Sequence, residues 1–126
     1  MSFDPMIFVN DVEASSTWYQ TPLGLRSGHG GPHYETLMDG DVLALQLHHA
    51  NAQEHGGKRL PTGAPRGTGV LLYFRVDDVN GVHDRTLKTE VNCESSPAFI
   101  ELAGHTEFVA RDPDGFSIAG FQRGRA

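Results

Sequence analysis

With 126 residues, 38% hydrophobic and 21% charged, the chain is a globular domain or two small modules sharing a core, and composition excludes a disordered polymer. A formal net charge of −6 with no basic stripe excludes nucleic acid as the main partner. A single cysteine, Cys93, excludes an internal disulfide, and it has no CxxC partner.

The first residues, MSFDPMIFVND, carry neither a basic region nor a long apolar run, so no signal peptide is expected. No apolar run approaches the ~20 residues of a membrane helix. The expectation is a cytoplasmic protein with no membrane partner. "FDPMIFVN" alternates as a strand, with Pro5, Ile7 and Val9 on one face and Asp4, Met6 and Phe8 on the other. Asp11 can then cap a helix over Val12–Gln20 by accepting from a free backbone N–H. A Gly-rich stretch follows, and "MDGDVLALQLHH" reads as a hairpin with an Asp-Gly turn. Its outgoing strand places Leu43, Leu45 and Leu47 on one face and Val42, Ala44, Gln46 and His48 on the other.

The same order then repeats. "YFRVDDVNGV" echoes "IFVNDVEAS", with Asp78 in the place of Asp11, and predicts a helix over Val79–Glu90 supported by Val79, Val82 and Leu87. "DPDGFSIAGF" echoes "MDGDVLALQL". "GVLLYFRV" splits into Val70, Leu72, Phe74 and Val76 against Leu71, Tyr73 and Arg75. After the DPDG turn, Phe116 and Ile118 oppose Ser117, Ala119 and Phe121. Two units of one kind are therefore predicted, residues 1–50 and 69–126, joined by a Gly/Pro-rich link over 51–68.

Each strand thus has one apolar face, suited to packing under a helix, and one mixed face. The mixed faces carry Asp4, Phe8, Gln46, His48, Tyr73, Arg75 and Phe121. That set is too polar for a closed core and too aromatic for a plain solvent face, and it suits the lining of a ligand pocket.

Three stretches in order, "FVNDVEASSTWYQTPLGL", "YFRVDDVNGV" and "FVARDPDGFSIAGF", resemble the vicinal oxygen chelate superfamily of glyoxalases, extradiol dioxygenases, fosfomycin-resistance and bleomycin-resistance proteins. The resemblance implies an α+β fold: two βαβββ modules, curved mixed sheets around an open cavity, helices outside, and assembly as a homodimer. In the metal enzymes of that family, ligands come from four cavity-facing positions. Carried over by the Asp and turn motifs, these are Asp4, Gln46, Leu71 and Ala119. A divalent ion needs N, O or S donors, and Leu71 and Ala119 have none. The resemblance therefore runs to the bleomycin-resistance branch, which binds a ligand without metal, so neither a metal nor another cofactor is expected.

Of the seven histidines, His48 faces the expected pocket, and His49 beside it faces away. His29, His33 and His55 lie in or near Gly-rich stretches and read as solvent-exposed, His83 as a surface position of the second helix, and His105 as the neighbour of Gly104 in a turn. A non-family metal site from His48, His33 and Glu35 is a further option. No GxSxG elbow, Walker loop or dinucleotide fingerprint is present. The reading is a small-molecule-binding protein for an aromatic or amphipathic compound. Phe8, Tyr73 and Phe121 would be walls, and Asp4, Gln46, His48 and Arg75 would set orientation. The alternative is a metal-dependent lyase, isomerase or dioxygenase with relocated ligands, or a metal-free acid–base catalyst using His48 or Asp4.

Overall fold

The computed structural model describes residues 1–51, 65–91 and 93–126. Most of the expected link, and His55 within it, lies outside the described residues. The chain divides into two compact units, Met1–Pro65 and Arg66–Ala126. Each is a helix and a four-stranded mixed sheet, so the fold is α+β with two open βαβββ modules.

In the first unit, β1 (Met6–Val9) leads into α1 (Val12–Leu23), then β2 (Arg26–Ser27), β3 (Tyr34–Asp39) and β4 (Val42–His49). The sheet order is β1-β4-β3-β2, with β1 parallel to β4 and the other pairs antiparallel. Asp11 caps α1, its carboxylate accepting from the Ala14 N–H at 3.0 Å. The helix runs one turn past the expected end at Gln20. Pro22 removes only one hydrogen bond from the last turn, and Gly24, at φ 68°, closes the helix with its N–H on the Gln20 carbonyl. Val12, Trp18 and Tyr19 are buried with Ile7, Val9, Leu37, Leu45 and Leu47, which places most of the apolar strand face in the core; Leu43, expected on the same face, pairs with Met38 on the other side of the sheet and is half-buried. Gly40, at φ 59°, turns β3 into β4.

The second unit repeats this plan: β5 (Leu72–Arg75), α2 (Val79–Leu87), β6 (Ala98–Ile100), β7 (His105–Arg111) and β8 (Ser117–Arg123), in sheet order β5-β8-β7-β6. Asp78 caps α2 as Asp11 caps α1, accepting from the Gly81 N–H at 3.0 Å. This helix is shorter than expected. Thr89 turns back on it, its N–H and hydroxyl both donating to the Thr86 carbonyl, at 3.0 and 2.6 Å. The buried face of α2 is Val79, Val82, His83 and Thr86, an i, i+3, i+4, i+7 stripe. Leu87, expected to support the helix, is exposed, and His83, expected on the surface, packs edge-on against Phe108 at 5.0 Å.

Phe108, Ala110 and Ile118 complete this core. Val70, expected on the same face, is exposed because it precedes the strand in a turn closed on Gly67. In the DPDG turn, Asp112 is buried and accepts from the N–H groups of Asp114 and Phe116 at 2.9 and 2.8 Å. Asp114 in turn pairs with the buried Arg66 at 2.6 Å. Arg66, placed by the sequence within the link, thus belongs to the second unit.

Candidate functional site

The face of each sheet turned away from its helix carries the candidate residues. In the first unit, register sets Met6, Gln46 and Thr36 in one cross-strand row and Phe8, His48 and Tyr34 in the next. The Gln46 amide is already engaged. Its Oε1 accepts from the Tyr34 hydroxyl, and its Nε2 donates to the Asp4 backbone carbonyl at 3.1 Å. Asp4 therefore meets Gln46 through its main chain, and its side chain is exposed. His48 is only 3% exposed. Its ring lies 5.3 Å from that of Phe8 and 6.3 Å from that of Tyr34, and its Nδ1 donates to the His49 carbonyl at 3.0 Å. A carbonyl only accepts, so this contact fixes the proton on Nδ1.

Glu35 lies on the opposite face, buried beneath α1. Its carboxylate accepts from Ser16 Oγ, Ser27 Oγ and the N–H groups of His29, Gly30 and Thr36. Burial by itself pushes such a group up. The bonds from Ser27, Gly30, Ser16 and His29 together outweigh that and hold Glu35 below the usual glutamate range. His33 is exposed. The metal option of His48, His33 and Glu35 is thus not assembled: Glu35 and His48 occupy opposite faces, and both Glu35 oxygens are in use.

The second sheet has the same rows: Tyr73, Ala119 and Val109, then Arg75, Phe121 and Glu107. Gln46 and Ala119 hold equivalent places, as do His48 and Phe121, and Tyr34 and Glu107. Ala119 is fully buried beside its strand neighbours, and Arg75 is exposed. Tyr73 is the centre of a polar cluster. Its hydroxyl donates to Glu107 Oε1 and lies 3.0 Å from His105 Nε2, and His105 Nε2 lies 2.7 Å from the same Glu107 oxygen. Phe121 flanks the cluster, its ring 4.9 Å from Tyr73 and 4.8 Å from His105. Tyr73 is 46% exposed over the whole residue. Desolvation of its hydroxyl end, with the adjoining Glu107 carboxylate, pushes the phenol up to about 12.

Sequence reasoning missed Tyr34, His105 and Glu107. His105 directly follows Gly104 in its turn, as expected, and opens β7. The signal lay in the DPDG hairpin: counting back from Arg111 opposite Ser117 places Glu107 opposite Phe121 and His105 opposite Arg123.

The four positions carried over for a metal do not fit one. Gln46 is committed to Tyr34 and Asp4, and Leu71 and Ala119 offer no donor atom. Among the described residues, no three His, Cys, Asp or Glu side chains gather.

A family model for the glyoxalase/bleomycin resistance protein/dioxygenase superfamily matches residues 4–119. No curated protein sequence matches the chain. Among solved structures, a protein of unknown function from Agrobacterium tumefaciens str. C58 is similar, at 24% identity and TM-score 0.79, over 97% of this chain and 94% of that one. A lactoylglutathione lyase from Agrobacterium tumefaciens is similar at 18% identity and TM-score 0.70, over 97% and 92% of the respective chains. A glyoxalase/bleomycin resistance protein/dioxygenase from Nocardioides gives 19% identity and TM-score 0.71, over 100% and 85%. At these identities the structures speak to fold alone. The order of elements, the repeated capped helix and hairpin, and a family match spanning nearly the whole sequence agree: the chain belongs to the glyoxalase/bleomycin resistance protein/dioxygenase superfamily.

Proposed function

We propose that the chain is a metal-free binding protein for an aromatic or amphipathic small molecule, held against the mixed face of a sheet. The observation that carries this reading is the make-up of those faces. Phe8 and Tyr34 on either side of the buried His48 on one sheet, and Tyr73 and Phe121 on the other, would give flat apolar surface. Each group of rings sits beside polar groups that can orient a ligand: Gln46 on the first sheet, His105 and Glu107 on the second. Asp4 and Arg75, both exposed, would contribute charge at the margins. Sequestration of this kind needs affinity only. A homodimer, as is common in the family, is part of the same proposal and is read by light scattering.

The experiment is metal analysis of the purified protein combined with thermal shift against divalent ions and a panel of aromatic compounds. The expected result is substoichiometric metal, no stabilisation by ions, and stabilisation by a subset of compounds, since a ligand that binds only the native state raises the melting temperature. One equivalent of Zn, Fe, Mn or Ni, with catalytic turnover of a carbonyl or catechol substrate, would favour the alternative, a metal-dependent enzyme with relocated ligands.

A further inference from the structure

We propose that Tyr73, His105 and Glu107 form the proton-accepting end of the ligand site on the second sheet. The group it takes is a planar one bearing an acidic O–H or N–H, a phenol, enol or imide, with the proton passing to His105 Nδ1. The inference rests on the binding reading above and narrows its ligand class.

A carboxylate only accepts, so both neighbours of Glu107 Oε1 must turn a hydrogen towards it. Tyr73 does so through its hydroxyl, and stays a donor because its phenol ionises only at about 12. At 2.7 Å from the same oxygen, His105 Nε2 must also carry a proton, or two lone pairs would face each other. A neutral imidazole has one N–H, so its lone pair is left on Nδ1. Among the described residues no side-chain hydrogen bond engages that nitrogen and no buried side-chain polar atom lacks a partner, so Nδ1 keeps a narrow contact with solvent although the His105 side chain is only 11% exposed. The result is an open base whose tautomer is set by a carboxylate behind it, the logic of an oriented catalytic imidazole.

The ring bearing that base lies beside Phe121 and Tyr73, with centroids at 4.8 and 5.7 Å, so a flat ligand has aromatic surface next to its proton acceptor. When the ligand's proton moves to Nδ1, the bonding electrons stay on the ligand as an anion. The imidazolium formed is held by Glu107, and no other reactant is required. The first sheet has no counterpart, because Tyr34 stands in the place of Glu107.

The test uses 4-nitrophenol and its methyl ether, 4-nitroanisole, at a pH where free nitrophenol is only partly ionised. Wild-type protein should bind nitrophenol about tenfold more tightly than nitroanisole, the worth of one charge-assisted hydrogen bond, and shift its absorbance towards phenolate. His105→Gln keeps a donor for Glu107 and removes the base. It should lose both the preference for nitrophenol over nitroanisole and the absorbance shift. Equal binding of the two probes, or an unchanged shift in a folded His105→Gln protein, overturns this inference and leaves the binding reading standing. Failure of both probes and of every other aromatic compound overturns both. Should the variant not fold, imidazole nitrogen NMR shifts of the wild-type protein decide the point, and a proton on Nδ1 of His105 refutes the assignment.

Discussion

Ser16 on α1 and Glu35 on β3 meet through a 2.8 Å hydrogen bond, hydroxyl to carboxylate, in the buried layer between helix and sheet. The Glu35 carboxylate divides its donors by type. Oε2 takes the hydroxyls of Ser16 and Ser27, while Oε1 takes the backbone N–H groups of His29, Gly30 and Thr36. Hydroxyls can turn round and accept, but N–H groups cannot. Glu35→Gln can therefore keep its carbonyl oxygen on the backbone side and should cost about 1 kcal/mol, the difference between charged and neutral acceptors. Glu35→Ala strands several donors and should cost about 3 kcal/mol or more. Urea unfolding of both variants checks the order. Equal losses would mean that the carboxylate does not organise the loop over residues 27–30.

The same network makes the first unit sensitive to acid. The folded protein holds Glu35 below the ordinary glutamate range, net of a burial effect in the opposite direction. An unfolded glutamate protonates near about 4.3. Because the folded value is the lower one, the unfolded chain takes up the proton first as pH falls. The stabilisation is complete above the unfolded value and is lost as pH drops through the folded one. Wild-type protein should thus lose more stability than Glu35→Gln does as pH falls from about 5 to about 3, read as the shift in urea midpoint.

Glu35 also shows where the sequence stopped being legible. The capped helices at Asp11 and Asp78, the two hairpins and the alternating faces of β1, β8 and the second half of β4 from Leu45 onward follow from local chemistry, and the structure has them. A regular hairpin counted from Asp39 opposite Val42 would set Glu35 opposite Gln46, on the face that His48 shares. The structure instead has a register shift after Leu37, leaving Ala44 unpaired, with Met38 opposite Leu43 but Leu37 opposite Leu45. One extra residue turns Glu35 under the helix and brings Tyr34 opposite His48. No residue type marks that bulge in the sequence. The DPDG hairpin has no such shift, so Glu107 could have been placed by counting. His83 was misjudged for another reason: its place at i+4 from Val79 on the buried stripe of α2 outweighs its polarity.

The Tyr73 hydroxyl gives a spectroscopic prediction on the second sheet. Desolvation and Glu107 raise its ionisation to about 12, so its phenolate signal should appear as a late step in an alkaline absorbance titration. Tyr73→Phe should abolish that step. Glu107→Gln should move it part of the way back towards the ordinary tyrosine value, since it removes the negative charge and leaves only a weaker neutral acceptor. A raised folded value for this acid means that the unfolded chain ionises first. The stability Tyr73 contributes is present below about pH 10 and fades as pH climbs towards the folded value. A late step that survives Glu107→Gln unchanged would show that the carboxylate is not what holds the proton.

Gly120 and Phe108 give the sharpest packing prediction. They are directly paired across β8 and β7, and Phe108 is fully buried under α2. A Cβ added at Gly120 would come within 2.8 Å of Phe108 Cε1, closer than real side chains approach. The backbone there has no positive φ, so the glycine is required by space and not by conformation. Gly120→Ala should therefore destabilise by about 1–3 kcal/mol, the usual range for overpacking a core. Phe108→Leu alone should cost a comparable amount by opening a cavity beside His83. The two changes should compensate, because the alanine methyl moves into volume that the ring has left. A double-mutant cycle in urea should then show a favourable coupling of about 1 kcal/mol or more. Strict additivity would mean that the ring and the glycine do not share that space in solution.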